Sequence, residues 1–342
     1  MDKEVQDIMS SINKEMKTPA IRVGDVCSDV EVFSSGSIAL DKAIGVGGIP
    51  IGRIIEIYGP ESSGKTTITL TAIACAQKFG YVCAFLDMEH ALDRKLAVGC
   101  GVNWDRLLFS QPDYAEQCLG IAEKLVLTGK VKLVVIDSVA AMVPKAELDG
   151  DMEDQQMGLQ ARILGKGLRK LASVCSKHKC TIIFINQLRE KIGQMYGNPE
   201  VTPGGRSLKF TCSLRMDVRR RDKIERNGMQ IGNALKIKIV KNKVAPPHAE
   251  AEIDLIFGKG VDNTKDIVQM AVDYGICGKK GSGWFNYKEI KSNGMSNFVN
   301  DLISGGFIVE IEDEVRIKMK NNIIIDAAVS IDEEDEFDET AQ

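Results

Sequence analysis

Apolar positions along the chain change their spacing three times. In residues 2–17, Val5, Ile8, Met9, Ile12 and Met16 recur at helical intervals within a polar stretch. That period predicts an amphipathic helix, with too little apolar surface to fold alone and therefore expected to pack on something else, such as a neighbouring subunit. Residues 18–35 read as a linker and a short strand. From residue 36, short β-branched runs alternate with longer helical periods. Residues 53–58, 81–86, 131–136 and 181–185 read as strands, and 65–78, 115–127 and 160–177 as helices, the first of them stopping at Gly80. Uninterrupted apolar strands separated by helices predict a mostly parallel sheet covered on both faces. After residue 206 the spacing shifts to alternation. Residues 207–219, 234–241 and 249–257 read as consecutive strands with an antiparallel character. A small end piece follows, with helices expected at 266–274 and 296–303 and a strand or hairpin at 283–290.

Composition narrows this picture little. The chain has 342 residues, 44% hydrophobic and 27% charged, and no stretch approaches the roughly 18 uninterrupted apolar residues of a membrane span. Met1-Asp2-Lys3-Glu4 lacks the basic start and apolar run of a signal peptide, so a cytoplasmic protein is expected. Nine cysteines, scattered and without a C-x-x-C pair, argue against a disulfide framework or a zinc site. Charge adds more. Seven acids crowd residues 332–339 without a base, and subtracting them from the net −4 leaves the rest of the chain at +3. A polyanionic partner is therefore compatible with the body of the chain.

Chemistry concentrates at the ends of the predicted parallel strands. Gly59-Pro60-Glu61-Ser62-Ser63-Gly64-Lys65-Thr66 fits G-x-x-x-x-G-K-[ST] at every fixed position, between a strand and a helix. Such a loop turns backbone N–H groups toward phosphate oxygens at a helix N-terminus. Lys65 is placed to neutralise phosphate and the Thr66 hydroxyl to ligate Mg²⁺. The strand Leu133–Ile136 runs into Asp137, a second Mg²⁺-organising carboxylate. Another strand runs into Asp87 and Glu89, either of which can orient an attacking water; spacing does not separate them. A fourth ends at Gln187, a candidate γ-phosphate sensor. Two polar, glycine-rich loops follow, at 147–158 and 188–206. The second carries Arg189, Lys191 and Arg206 with Ile192, Met195 and Tyr196 interleaved, a mixture that suits phosphate contact with wedging between bases.

These residues resemble a known family. The chain is similar to bacterial RecA recombinases over nearly its whole length, most closely from 34 to 260, with motif matches at 59–67, 84–93, 137–146, 184–187, 193–200 and 240–246. The resemblance implies an α/β fold with a RecA-type phosphate-loop ATPase core. It divides the chain into an N-terminal docking helix and linker (1–33), the core with its DNA-binding loops (34–261), a small α+β C-terminal domain (262–328) and an acidic tail (329–342). It implies a DNA-dependent ATPase that forms a helical filament on single-stranded DNA. That filament pairs it with homologous duplex, exchanges strands in recombinational repair, and co-activates the self-cleavage of a repressor in the SOS response.

By the same resemblance, ATP is held by Gly59 to Thr67 together with Asp93 and Asp137, with Mg²⁺ on Thr66 and Asp137. Glu89, rather than Asp87, is the water-activating glutamate. Gln187 is the γ-phosphate sensor, and Lys241 and Lys243 reach the ATP of the adjacent subunit. Phe210 relays between nucleotide sites. DNA contacts fall to Met157, Arg162, Arg169, Arg189 and Ile192 and to the amides of Gly204 and Gly205. A single-strand-binding protein is a further expected partner, and a membrane is not. The chain departs from the pattern at Leu96, where the family has a tyrosine stacked on adenine. It departs also in an acidic first loop (Asp149, Asp151, Glu153, Asp154) and in a shortened end domain. A ring helicase of the same core fold is the alternative; the lysine pair and the match at 193–200 argue against it.

Overall fold

The computed structural model describes the chain except for residues 1, 18–20, 22–29, 151–157, 191–199, 282 and 323–342. Two compact units emerge, residues 1–31 and 32–342. In the first, helix α1 (Lys3–Met16) starts on Asp2, whose carboxylate accepts from the Glu4 amide, and ends on Lys17 in the left-handed region. Asn13 then exchanges two hydrogen bonds with the backbone of Ile21. No residue of α1 is buried; of the apolar positions that define its period, Val5, Ile8 and Met16 are exposed and Met9 and Ile12 half-buried.

The second unit opens with β1 (Val32–Phe33), α2 (Ile38–Ile44) and β2 (Ile49–Pro50) and then builds a nine-stranded sheet. Its chain order is β3 (Ile54–Gly59), α3 (Lys65–Lys78), β4 (Val82–Asp87), α4 (Arg94–Gly99), β5 (Leu107–Ser110), α5 (Ala115–Leu127), β6 (Val131–Asp137), α6 (Lys145–Asp149), α7 (Leu159–His178) and β7 (Thr181–Gln187). A short pair, β8 (Arg189–Glu190) and β9 (Glu200–Val201), leads to α8 (Gly205–Thr211). A meander of β10 (Leu214–Arg226), β11 (Met229–Asn242), β12 (Glu250–Ile256) and β13 (Gly260–Asp262) completes the sheet. Across it the order is β13-β12-β11-β10-β3-β7-β6-β4-β5. β10 through β5 run parallel and the meander is antiparallel, as the switch from continuous to alternating apolar runs predicts. The α/β, mostly parallel fold is borne out. Because β3 and β4 are separated by β7 and β6, four strands end side by side: Gly59 lies opposite Gln187, and Asp87 opposite Asp137. Ligands bind at such switch points.

Residues 207–219 correct the expectation of one strand. The chain there forms α8 first and enters β10 only at Leu214. Gly204 and Gly205 both adopt positive φ and turn the backbone into a helix, which buries Leu208 while leaving Phe210 in solvent; two residues apart, they imitate strand alternation. The hairpin of β10 and β11 is also longer than its apolar segments, since polar residues continue the ladder to Arg226 and Met229.

Two apolar clusters fill the two faces of the sheet. A third lies among α9 (Thr264–Asp273), the small sheet of β14 (Gly278–Lys280), β15 (Trp284–Tyr287) and β16 (Ile290–Asn293), α10 (Met295–Ser304) and α11 (308–322), and takes in Ile38 from α2. α11 escaped the sequence reading. Its Arg316 donates to the buried Asp41 of α2 at 3.0 Å and to the Ser34 hydroxyl, while Ser34 and the Ser35 amide also donate to Asp41.

At the first turn of α9, burial, followed by the charges of Asp254, Asp262 and Glu252, pushes the half-buried Asp266 carboxyl up to about 6, against Lys265. An unfolded aspartate ionises near 3.9, so the ionised form burdens the folded state above pH ~6 and the burden is relieved as pH falls through that value. Asp266→Asn is therefore expected to stabilise the chain by about 1 kcal/mol at pH ~7.5, the shift being discounted for solvent access. The gain should shrink toward pH ~5. Urea unfolding at both pH values measures this; an equal gain at the two would remove titration as its cause.

Candidate nucleotide and DNA site

β3 delivers the chain to a tight loop. A Cβ on Gly59 would stand 2.1 Å from the Val218 carbonyl oxygen, so only glycine fits there. Gly64, at φ 88°, caps α3 without a side chain, leaving the amides of the first turn available to an anion. The Lys65 ammonium folds back on the loop. It donates to the carbonyls of Pro60 at 2.6 Å and Gly59 at 3.2 Å and to the Ser63 hydroxyl at 3.4 Å. Burial lowers its proton affinity, opposed by the charges of Asp137, Glu89 and Glu61. A cation held by carbonyl dipoles in a loop of N–H donors is a fit for the β- and γ-phosphates of a nucleotide.

Thr66 donates its hydroxyl to Asp137 Oδ2 at 2.8 Å. Burial, with the neighbouring Glu89 and Asp87 adding, pushes the Asp137 carboxyl up to about 6 against the Thr66 hydrogen bond and Lys65. A carboxylate so short of positive charge, beside a hydroxyl, is an oxygen donor set that fits Mg²⁺.

The two acids after β4 are separated by what holds them. Asp87 is buried, and its Oδ2 accepts from the Leu92 amide and from Gln111 Nε2, both at 3.1 Å. Glu89 is exposed at the strand edge. Its Oε1 accepts from Gln187 Nε2 at 2.7 Å and from the Ser138 hydroxyl at 2.5 Å. Ser138 is a site residue that the sequence analysis did not single out; its position directly after Asp137 at a strand end is the available signal. Asp93 caps α4 by accepting from the Lys95 amide. Leu96 packs on the core of one sheet face.

Lys241 and Lys243 lie at the end of β11. Lys241 Nζ donates to the carbonyls of Lys209 at 2.6 Å and Phe210 at 2.9 Å, and Lys243 Nζ to Phe210 at 3.5 Å. Their hydrogen bonds thus go to α8 and not to the phosphate loop. Burial, and then Lys243, lower the Lys241 proton affinity. Phe210 beside them is 70% exposed. Arg162 and Arg169, two turns apart on α7, are exposed, as is Arg189. Gly204 and Gly205 begin α8, which packs against α7. The expected wedges Met157 and Ile192 lie outside the described residues, as does the acidic tail.

The RecA N-terminal domain family matches residues 3–262. The chain is 55% identical to "Protein RecA, chromosomal" of Lactococcus lactis subsp. lactis (strain IL1403) over 296 residues, 85% of this chain and 76% of that protein. It is 50% identical over 323 residues to Protein RecA of Caldanaerobacter subterraneus subsp. tengcongensis, covering 94% of this chain and 93% of that one. With Protein RecA of Clostridioides difficile (strain 630) it shares 48% over 320 residues, 92% and 91% of the two chains. A phosphate loop, a glutamate and a glutamine meet at one sheet edge, and relatives match along almost the whole length: the chain belongs to the RecA family.

Proposed function

We propose that this chain is a DNA-dependent ATPase that assembles on single-stranded DNA, pairs it with homologous duplex and exchanges the strands in DNA repair. The observation that carries this reading is Gln187. Its side chain reaches Glu89 at 2.7 Å, while its backbone runs through Leu188 into Arg189 and the second loop. One residue thus adjoins both the hydrolytic carboxylate and the DNA side.

Lys65 exchanges its loop carbonyls for phosphate oxygens, and the α3 amides add their partial charge. Thr66 and Asp137 hold Mg²⁺, which when bound neutralises charge developing on the transferred phosphoryl group. Glu89 accepts a proton from the attacking water, and Ser138 and Gln187 fix the carboxylate that does so. Lys241 and Lys243 complete the site of an adjacent copy. Arg162, Arg169 and Arg189, with the amides of Gly204 and Gly205, take DNA phosphates; Met157 and Ile192 enter between bases. ATP binding sets the gripping state and hydrolysis releases it. The filament also presents a surface to a self-cleaving repressor and has a single-strand-binding protein as a further partner, in the cytoplasm. Among the described residues no helix is long and apolar enough to cross a membrane.

ATP hydrolysis measured with and without single-stranded DNA, over a range of protein concentrations and with Lys65→Ala as control, tests this. Strong stimulation with sigmoidal concentration dependence is expected, abolished in the variant. Hydrolysis indifferent to DNA would remove the recombinase reading and leave a nucleotide hydrolase driven by something else.

A further inference from the structure

Among the aliphatic residues of β3 stands one acid. Glu56 is wholly buried, and its two oxygens serve two other strands. Oε2 accepts from Arg215 Nε at 2.5 Å on β10, and Oε1 accepts from Asn186 Nδ2 at 2.9 Å on β7. Arg215 is nearly buried and its guanidinium lies 4.7 Å over the Tyr58 ring. Asn186, also wholly buried, spends both ends of its amide. Oδ1 accepts from the Gln187 amide at 3.0 Å, and Nδ2 donates a second time, to the Pro203 carbonyl at 3.1 Å.

One side chain therefore touches the backbone of the residue that contacts Glu89 and the residue immediately before Gly204 and Gly205. A polar cavity of about 200 Å³, bordered by Tyr58, Thr202, Lys209 and Arg219, lies beside this segment and leaves it room to shift. The buried hydroxyl of Thr202, which borders it, has no hydrogen-bond partner among the described residues. Buried ion pairs are often no more stabilising than a well-packed apolar trio of the same volume, so stability alone does not account for three polar residues in this place.

We propose that Asn186 is a positioning residue that couples the nucleotide site to the DNA side. Glu56 and Arg215 form the fixed post against which its amide is held. Any displacement of Gln187 then reaches Pro203, and the glycine amides after it, through a single side chain. The inference rests on the reading of the site as a DNA-dependent ATPase.

A reciprocal exchange, Glu56→Gln with Asn186→Asp, isolates the one bond that matters. The amide now at position 56 accepts from Arg215 and donates to the carboxylate now at 186, which still accepts from the Gln187 amide. Net charge and volume are kept. The bond to the Pro203 carbonyl cannot be remade, because a carboxylate has no N–H; Arg215 keeps a hydrogen bond at position 56 while its counter-charge moves to position 186. The doubly substituted chain is expected to melt close to the unaltered one and to keep its hydrolysis without DNA. Its stimulation by single-stranded DNA should fall about tenfold, the worth of one buried hydrogen bond. Hydrogen exchange of residues 200–206, which should respond to a non-hydrolysable ATP analogue in the unaltered chain, should no longer respond.

An unaltered chain that DNA does not stimulate would overturn the ATPase reading itself. A stimulated unaltered chain with an equally stimulated double variant would overturn only the coupling. Should the exchange fail to fold, the unaltered chain decides alone: residues 200–206 indifferent to the analogue would sink the inference, and a nucleotide-dependent change there would support it.

Discussion

Replacing Lys241 and Lys243 together by alanine is expected to lower DNA-stimulated ATP hydrolysis about 10³-fold, the lower range for a cation supplied in trans at a phosphoryl transition state. Nucleotide affinity of the isolated chain should not change. Neither lysine bonds to the phosphate loop of its own chain. Both ammonium groups rest on the last carbonyls of α8, a favourable berth for cations at a helix C-terminus. The 70% exposed Phe210 stands beside them. Two positive charges held side by side, one with lowered proton affinity from burial and its neighbour, gain most by meeting an anion. A mixing experiment measures whether that anion belongs to another copy. Lys65→Ala chains keep the lysine pair, and the double variant keeps an intact phosphate loop. Neither should hydrolyse ATP alone, and mixed assemblies on DNA should recover part of the rate. No recovery on mixing would place the lysines' action within their own chain.

Glu89→Gln is expected to slow hydrolysis by about 10²–10⁴, the usual worth of a general base, while capture of single-stranded DNA in ATP persists and lasts longer. Both donors to Glu89, Ser138 and Gln187, go to the same oxygen. A glutamine keeps that oxygen and both hydrogen bonds, and loses only the second oxygen, where a proton can be received. Release of fluorescent single-stranded DNA after ATP is exhausted or chased reads the lifetime. Hydrolysis within about tenfold of the unaltered chain would return the role to another base. Asp87 is a poor replacement, because it is buried while Glu89 stands exposed at the strand end.

What was legible in the sequence followed from locality. The phosphate loop declares itself because its glycines, lysine and threonine act within eight consecutive residues, and the alternation of buried strands and helices fixed the sheet's class. Asp87 and Glu89 could not be told apart by spacing, since Gln111, which occupies Asp87, is 24 residues away. The trio of Glu56, Asn186 and Arg215 joins positions 130 and 159 residues apart. A signal was present nonetheless: a lone acid in the run Arg53–Tyr58 and a lone base in Leu214–Met216 are improbable in buried strands unless they meet. Residues 207–219 failed for the opposite reason. Leu208 and Phe210 imitate alternation, and the two glycines that start α8 are visible only as a bend whose direction the sequence leaves open.

The contact between Arg316 and Asp41 spans 275 residues. A ribosome makes the carboxylate well before its counter-ion. Until then Asp41 has only the hydroxyl of Ser34 and the amide of Ser35 to turn to, and burial raises its proton affinity. In the folded chain that burial opposes the charge, and the Arg316 guanidinium of α11 supports it. Closing so long a loop is slow. Seating of α2 is thus coupled to docking of α11 through one buried ion pair between segments far apart in the chain.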